Sequence, residues 1–114
     1  MKFLENFNTE LKEVLTSELK KEVVAFANTC DGTIYIGIND KGEVIGVENS
    51  DDVIERASAS IRNAIKPDVT MYVTLNIEDI ENKKVVVIKV QRGASRPYYI
   101  GEKGLKPSGV YVRQ

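Results

Sequence analysis

The spacing of apolar residues changes once near residue 30. Before that point, apolar residues recur at helical spacing, at Leu19, Val23, Phe26 and Ala27. From Thr33 onward, Ile34, Ile36 and Ile38 alternate with other residues and are predicted to share one face of a strand. The pattern therefore predicts that a helix ends near Thr29 and that a strand begins near Thr33.

Polar turns are predicted on both sides of this strand. Asp31 and Gly32 precede it and are residue types that tolerate a positive φ. The segment Asn39–Gly42 follows it and has the composition of a four-residue hairpin loop with glycine at the left-handed position. Residues Glu43–Glu48 are then predicted to return as the hairpin partner.

Two interpretations fit the N-terminal residues. Periodicity alone permits one long helix over Phe3–Asn28. Ser17, however, is a good N-cap residue, and Glu18 suits the first turn of a helix that begins there. We therefore favour a strand over Thr9–Val14, followed by a helix over Glu18–Asn28.

A second helix and four further strands are predicted from the rest of the chain. Ser50 is a suitable N-cap, an apolar stripe follows it, and Pro67 ends the helix. Alternation predicts a strand over residues 70–77. The segment Lys84–Val90 carries apolar residues on both faces and is predicted to be a central strand. The two remaining short strands are expected at Tyr98–Ile100 and Val110–Arg113.

These elements predict a single compact α/β (α+β) domain over residues 1–114, with two main helices and a mixed, mostly antiparallel sheet. A chain of 114 residues buries roughly two thirds of its unfolded surface in one core. The single Cys30 has no disulfide partner, and the sequence has no apolar run of about 18 residues. We therefore expect a cytoplasmic protein without a membrane partner.

The residue content excludes several kinds of catalytic site. The chain has no histidine and one cysteine, which rules out Ser-His and Cys-His nucleophiles and zinc sites built from histidine or thiolate ligands. It also lacks the glycine motifs that cradle ATP or dinucleotide phosphates. Catalysis would have to use carboxylates, hydroxyls, lysine or a hard metal ion.

The net charge of −1 conceals a strong asymmetry along the chain. Residues 83–114 hold eight Lys and Arg against one Glu, a net charge of +7, whereas residues 1–82 carry −8. Such asymmetry indicates either a surface that faces a polyanion or, if folding interleaves the two segments, ordinary solvated faces.

A set of short motifs resembles the AlbA-2 domain, also called the Schlafen AlbA-like domain. That domain occurs at the N-terminus of bacterial transcriptional-regulator-like proteins and in Schlafen proteins. The resemblance covers nearly the whole chain. Its motifs are Glu10-Leu11-Lys12, Ala25-Phe26-Ala27-Asn28-Thr29, Gly32-Thr33, Ile36-Gly37-Ile38, Gly46-Val47, Arg96-Pro97-Tyr98-Tyr99 and Gly109-Val110-Tyr111-Val112-Arg113.

The resemblance implies an α/β domain that binds DNA or RNA. Because residues 110–113 are predicted to form a strand directly before the last residue, we also expect the chain to be the N-terminal module of a longer protein.

Arg92 and Arg96 flank a loop of small residues that permits close approach of a nucleic-acid backbone. The residues expected to contact nucleic acid are Lys12, Lys89, Arg92, Arg96, Lys106 and Arg113.

An alternative implied by the resemblance is a ribonuclease of Schlafen type that depends on Mg²⁺ or Mn²⁺. The matching carboxylates are Glu5, Glu10 and Asp40, which would serve as catalytic residues and metal ligands. Converging carboxylates hold such ions and activate water without histidine. Because Asn39 stands where the family pattern has aspartate, we rank binding above cleavage, and we expect a metal cofactor only for a nuclease.

A third interpretation is a protein-interaction or oligomerisation module. In this case edge strands would pair between chains, giving a homodimer. Light scattering combined with a binding assay separates this interpretation from nucleic-acid binding.

Overall fold

Two helices pack on one face of a four-stranded sheet. The computed structural model describes residues 3–113. Its elements in chain order are β1 (Thr9–Lys12), α1 (Leu19–Thr29), β2 (Gly32–Ile36), α2 (Ser50–Ala64), β3 (Ile65–Lys66), a 3-10 turn (Thr70–Tyr72), β4 (Val73–Ile80), β5 (Lys83–Val90) and β6 (Tyr99–Ile100).

The sheet has the strand order β1-β2-β5-β4. Strand β1 is parallel to β2, whereas the β2–β5 and β4–β5 pairs are antiparallel. Strands β3 and β6 form a separate antiparallel pair. The predicted α+β domain with two main helices and a mostly antiparallel sheet is therefore confirmed.

Strand β5 is covered on both faces, as its sequence predicts. Val86 and Ile88 pack in the main core against both helices. Val85 and Val87 belong to a second apolar cluster on the other face of the sheet. Because successive side chains of a strand point to opposite faces, two clusters require a run that is apolar on both sides.

The predicted alternation after Thr33 ends one residue early, at Gly37. Ile34 and Ile36 lie in the main core, but Ile38 lies in the second cluster on the opposite face. Gly37 has a φ of 118°, a conformation that favours glycine and turns the chain out of the regular pleat. The prediction that the three isoleucines share a face was therefore wrong for Ile38.

The predicted hairpin return over Glu43–Glu48 does not form a strand. The amides of Ile45 and Gly46 both donate to the carbonyl of Gly37, at 2.8 Å each, so the chain turns around that carbonyl. In place of the predicted hairpin ladder, Ile38 and Val44 form an isolated antiparallel bridge.

Several helices and strands also begin or end at residues other than those predicted. Strand β1 stops at Lys12 rather than at Val14, and β4 begins at Val73 because the three preceding residues form the 3-10 turn. Asn49 caps α2 instead of Ser50, since its side chain accepts the amide of Asp52 at 3.1 Å.

The start of α1 also differs from the prediction. Its N-cap residue is Glu18 rather than Ser17, and the Glu18 side chain makes no capping hydrogen bond. The hydroxyl of Thr16 accepts the amide of Glu18 at 3.2 Å. Among residues 3–113, no helix is long and apolar enough to cross a membrane.

The C-terminal residues predicted as a strand over Val110–Arg113 instead dock on the end of α1. The Asn28 side chain donates to the carbonyls of Tyr98 and Tyr111 at 3.0 and 2.9 Å and accepts the amide of Tyr98 at 2.7 Å. The hydroxyl of Thr29 accepts the amide of Arg113 at 2.9 Å. Side chains of α1 thus replace a neighbouring strand as partners of this backbone.

Replacing Asn28 with alanine is expected to lower the free energy of unfolding by about 2 to 3 kcal/mol. The substitution leaves partly buried backbone groups of Tyr98 and Tyr111 without partners, and such groups cost about 1 to 3 kcal/mol. Urea denaturation measures the loss. Asn63→Ala, at an exposed position of α2, is the matched control, and an equal loss in both variants would contradict this role.

Candidate nucleic-acid interface and carboxylate cluster

Three glutamates and two cations meet at the edge of the sheet beside α1. This carboxylate cluster consists of Glu5, Glu10, Lys12, Glu22 and Arg113. Glu10 and Lys12 lie opposite Ile34 and Ile36 of β2, so they share the face of the sheet that packs against the helices. The ion pairs are Arg113 Nη1 to Glu10 Oε1 at 2.6 Å, Lys12 Nζ to Glu22 Oε2 at 2.7 Å and Lys12 Nζ to Glu10 Oε2 at 3.6 Å.

Each of the three guanidinium nitrogens of Arg113 donates a hydrogen bond to the protein. Besides Glu10, the guanidinium donates from Nε to the carbonyl of Phe7 at 3.1 Å and from Nη2 to the carbonyl of Asn6 at 2.9 Å. Its carbon atom Cζ lies 4.5 Å from the centroid of the Phe26 ring, a cation–π arrangement. Arg113 was predicted to contact nucleic acid, but the structure places it in this cluster.

Burial raises the pKa of Glu22 to about 7, and the neighbouring charge of Glu10 adds to the increase, while Lys12 opposes it. Among the described residues, Glu22 Oε1 is buried and has no hydrogen-bond partner. Desolvation also raises the pKa of Glu5, against the hydrogen bond from the Leu11 amide.

Glu10 shifts in the opposite direction. Burial acts to raise its pKa, but hydrogen bonds with Glu5, Arg113 and Glu22, together with the charge of Lys12, lower it below the usual value. The cluster therefore holds one carboxylate that is firmly ionised beside two whose ionisation is disfavoured.

The predicted third carboxylate, Asp40, does not complete a metal site here. It is exposed in the loop that follows Asn39, whose side-chain oxygen accepts the amides of Lys41 and Glu43 at 3.0 Å each. Within residues 3–113, no group of three or more Asp, Glu, Cys or His side chains is placed to hold a metal ion.

The two oxygens of Glu10 face Arg113 and Lys12, which are cations that a metal ion would have to displace. In this arrangement the residues do not fit a divalent metal ion, and we derive no reaction step from one. The catalytic and metal-binding roles of Glu5, Glu10 and Asp40 stay predictions.

Three of the predicted basic residues lie together at the end of β5 and in the following loop. We call Lys89, Arg92 and Arg96 the basic end. All three are exposed, and none forms an ion pair with a carboxylate in the described part of the chain. Lys89 and Arg92 are three residues apart, so their Cα atoms are separated by at most about 10 Å.

The loop that carries the basic end is fixed to the rest of the domain. Asp31 accepts the amide of Arg92 at 2.8 Å, and the Gly93 amide donates to the carbonyl of Ala27 at 2.9 Å. The guanidinium of Arg96 folds back and donates to the Gly93 carbonyl at 2.9 Å. Arg96 is thereby held next to Arg92.

A shallow cleft of about 400 Å³ borders the basic end on the face of the sheet without helices. Lys89 lies there between Thr33 and Thr74, which are its partners on the two neighbouring strands. The cleft thus offers one ammonium group between two hydroxyls, all of which are able to contact a phosphate. It is also lined by Asp31, whose carboxylate accepts the Arg92 amide.

Lys106 and Lys12 lie away from the basic end. Lys106 is exposed in the loop after β6, and this loop is attached to the end of α2 by a 2.7 Å bond from the Gly101 amide to the Ala64 carbonyl. Lys12 lies in the carboxylate cluster. The structure therefore brings together three of the six residues that were predicted to contact nucleic acid.

Glu22 was missed as a member of the cluster because a charged residue on a helix usually faces solvent. A signal was nevertheless present. All five residues from Val23 to Ala27 are apolar and buried, so α1 has little exposed surface on which a neighbouring glutamate could lie.

Comparison with known proteins identifies relatives of the chain. The family model described as Schlafen, AlbA_2 matches residues 5–114. A similar solved structure is the crystal structure of the DIP2311 protein from Corynebacterium diphtheriae, with a TM-score of 0.59 and 21% sequence identity over 83% of this chain. At this identity the likeness shows the fold alone. The chain spans 19% of that protein's length.

Proposed function

Because the chain belongs to the Schlafen AlbA_2 family, which is related to nucleic acids, we propose that it binds DNA or RNA through the phosphate backbone at the basic end. The observation that carries this proposal is the unpaired state of Lys89, Arg92 and Arg96. These side chains are exposed and lack carboxylate partners among the described residues, so a phosphate gains their charge without breaking an ion pair.

The carboxylate cluster supports the same choice of surface. A phosphate at Lys12 or Arg113 would meet Glu10 and Glu22 and would have to replace short ion pairs. Like-charge repulsion and the loss of these pairs both oppose anion binding there. We therefore expect neither residue to contribute to affinity.

Replacing Lys89, Arg92 and Arg96 together with alanine is expected to weaken binding and its dependence on salt. Each duplex phosphate contact contributes a slope of about −0.9 to log K against log salt, so three contacts contribute about −2.7. Fluorescence anisotropy of labelled duplex DNA and RNA between about 50 and 200 mM salt measures this slope.

The matched control replaces Lys41, Lys66 and Lys103 with alanine. These lysines are exposed and lie on other parts of the domain, and their removal causes the same loss of positive charge. The control should keep the slope of the unchanged protein. Equal slopes for the two triple variants would contradict the proposal. So would a failure of the unchanged protein to bind DNA or RNA at low salt.

We also propose that the chain is the nucleic-acid-binding module of a transcriptional-regulator-like protein, on the basis of its family. The ribonuclease alternative has weaker support. Within residues 3–113, Asp40, Glu5 and Glu10 do not form a group that is placed to hold a metal ion, and Arg113 and Lys12 neutralise Glu10.

A further inference from the structure

Strand β4 forms an open edge of the four-stranded sheet. Its ladder with β5 is continuous from Val73 opposite Val90 to Ile80 opposite Lys83, so no bulge interrupts it, and β4 contains no proline. On its outer side, β4 pairs with no strand in the described part of the chain. Long regular edges of this kind are templates for pairing with another chain.

The outward-pointing backbone groups of β4 follow from the ladder. The Gln91 amide donates to the Tyr72 carbonyl at 2.8 Å, which extends the ladder by one hydrogen-bonded pair. Because such pairs alternate with pairs whose groups point away, the odd-numbered residues present free N–H and C=O groups. These residues are Leu75, Ile77 and Asp79, whereas Val73 presents only its C=O group, because its amide donates to the Thr70 carbonyl.

A groove of about 350 Å³ runs beside this edge, between β4 and α2. Ile61, Val73 and Leu75 give it apolar walls, and it is also lined by Arg62, in the last turn of α2, and by Thr70 of the 3-10 turn. The Arg62 guanidinium donates to the hydroxyl of Ser58 at 3.2 Å and forms no ion pair with a carboxylate of residues 3–113.

We propose that a second copy of the chain pairs antiparallel with β4, with Leu75 of the two copies facing each other at a two-fold axis. This register places Val73 opposite Ile77 of the second copy and Thr74 opposite Asn76. Apolar residues then face apolar residues on the helix side, and polar residues face polar residues on the other side. Because odd positions pair with odd positions, the helices of both copies lie on the same side.

Charge complementarity favours this register. Asp79 of the second copy lies just beyond its Ile77, at the end of the groove that carries Arg62. Within its own chain Asp79 pairs with Lys84 at 2.7 Å, but both side chains are more than half exposed, so exchanging this partner costs little. A register centred on Asn76 would instead set Val73 against Asp79.

The dimer is expected to be weak. Five paired residues per copy and one shallow groove form a contact at the small end of specific interfaces, which bury about 1,200 Å² or more. A dissociation constant on the order of 10 to 100 μM is the corresponding range.

A pair of double variants tests the partner and the register. Thr74→Lys with Asn76→Lys places lysines opposite each other across the two-fold axis, whereas Thr74→Lys with Asn76→Glu places opposite charges there. Both positions are exposed on the helix-free face, so the core of each copy is unchanged.

Sedimentation velocity over a range of concentrations should show dimerisation of the unchanged chain. The Lys/Lys variant should dimerise at least tenfold more weakly than the Lys/Glu variant. A monomer at roughly 1 mM, well above the expected dissociation constant, or equal dimerisation of the two variants, would overturn the proposal.

Discussion

Replacing Arg113 with methionine is expected to lower the free energy of unfolding by about 3 to 5 kcal/mol, the usual cost of removing one partner of a buried ion pair. The side chains of Arg113 and Glu10 are only 16% and 14% exposed, so Glu10 would keep a charge that water hardly reaches. The carbonyl of Phe7 would also lose its donor, and that of Asn6 would keep only the Thr9 amide. Urea denaturation followed by circular dichroism measures the loss.

Arg56→Met is the matched control for this experiment. Arg56 pairs with Asp52 at 2.8 Å on the surface of α2, where both side chains are more than half exposed. Its replacement should cost about 0.5 kcal/mol or less. The double variant of Arg113→Met with Glu10→Gln should lose less than the sum of the single variants, because the stranded charge is gone. A loss below about 1 kcal/mol for Arg113→Met, or strict additivity, would contradict the ion-pair account.

The second large effect is a fall in stability as pH rises, caused by Glu22. Its pKa is raised from 4.5 to about 7 in the folded protein, so the folded state binds the proton more tightly than the unfolded state. The stabilising contribution is full below about pH 4.5 and is lost as the pH rises through about 7. The shift corresponds to about 3 kcal/mol.

The other glutamates of the cluster modify this profile in opposite directions. The raised pKa of Glu5 adds to the loss of stability at higher pH. The lowered pKa of Glu10 contributes stability above its unfolded value, which is lost only as the pH falls. Comparison with a variant that lacks Glu22 therefore separates its contribution from those of Glu5 and Glu10.

Glu22→Gln removes the titrating group and tests this assignment. The free energy of unfolding of the unchanged protein, minus that of the variant, should fall by about 2.5 kcal/mol between about pH 5 and 8. Glu18→Gln, on the exposed side at the start of α1, should leave the pH profile in this window unchanged. The same profile for the unchanged protein and for Glu22→Gln would show that Glu22 does not titrate there.

Local sequence patterns predicted most of the elements, because hydrophobic period reports directly which face of an element is buried. The period change near residue 30 placed α1 and β2, and the apolar run from Val85 to Ile88 placed β5 between two clusters. The errors came where backbone conformation overrides period. In the sequence, Gly37 does not interrupt the alternation of apolar residues. Its positive φ nevertheless places Ile38 on the opposite face of the sheet.

The candidate site was less predictable, because neighbours that are distant along the chain decide whether a charged residue is paired or exposed. Arg113 and Glu10 are 103 residues apart and form the shortest ion pair of the carboxylate cluster. The sequence predicted that both Arg113 and Arg92 contact nucleic acid, yet the first is neutralised by Glu10 and the second is exposed. Folding therefore brings acidic and basic residues into contact in the carboxylate cluster. At the basic end it leaves cations without carboxylate partners among the described residues.

The sequence by itself determined the helices, the central strand and the family motifs, since these depend on the spacing of residues that are close along the chain. Only the tertiary structure decided which cations are available to a phosphate, which edge strand is open and which glutamate is buried. The physical reason is that charge interactions and desolvation depend on distance and burial in three dimensions. Those quantities exist only once β1, α1 and the C-terminal residues have packed together.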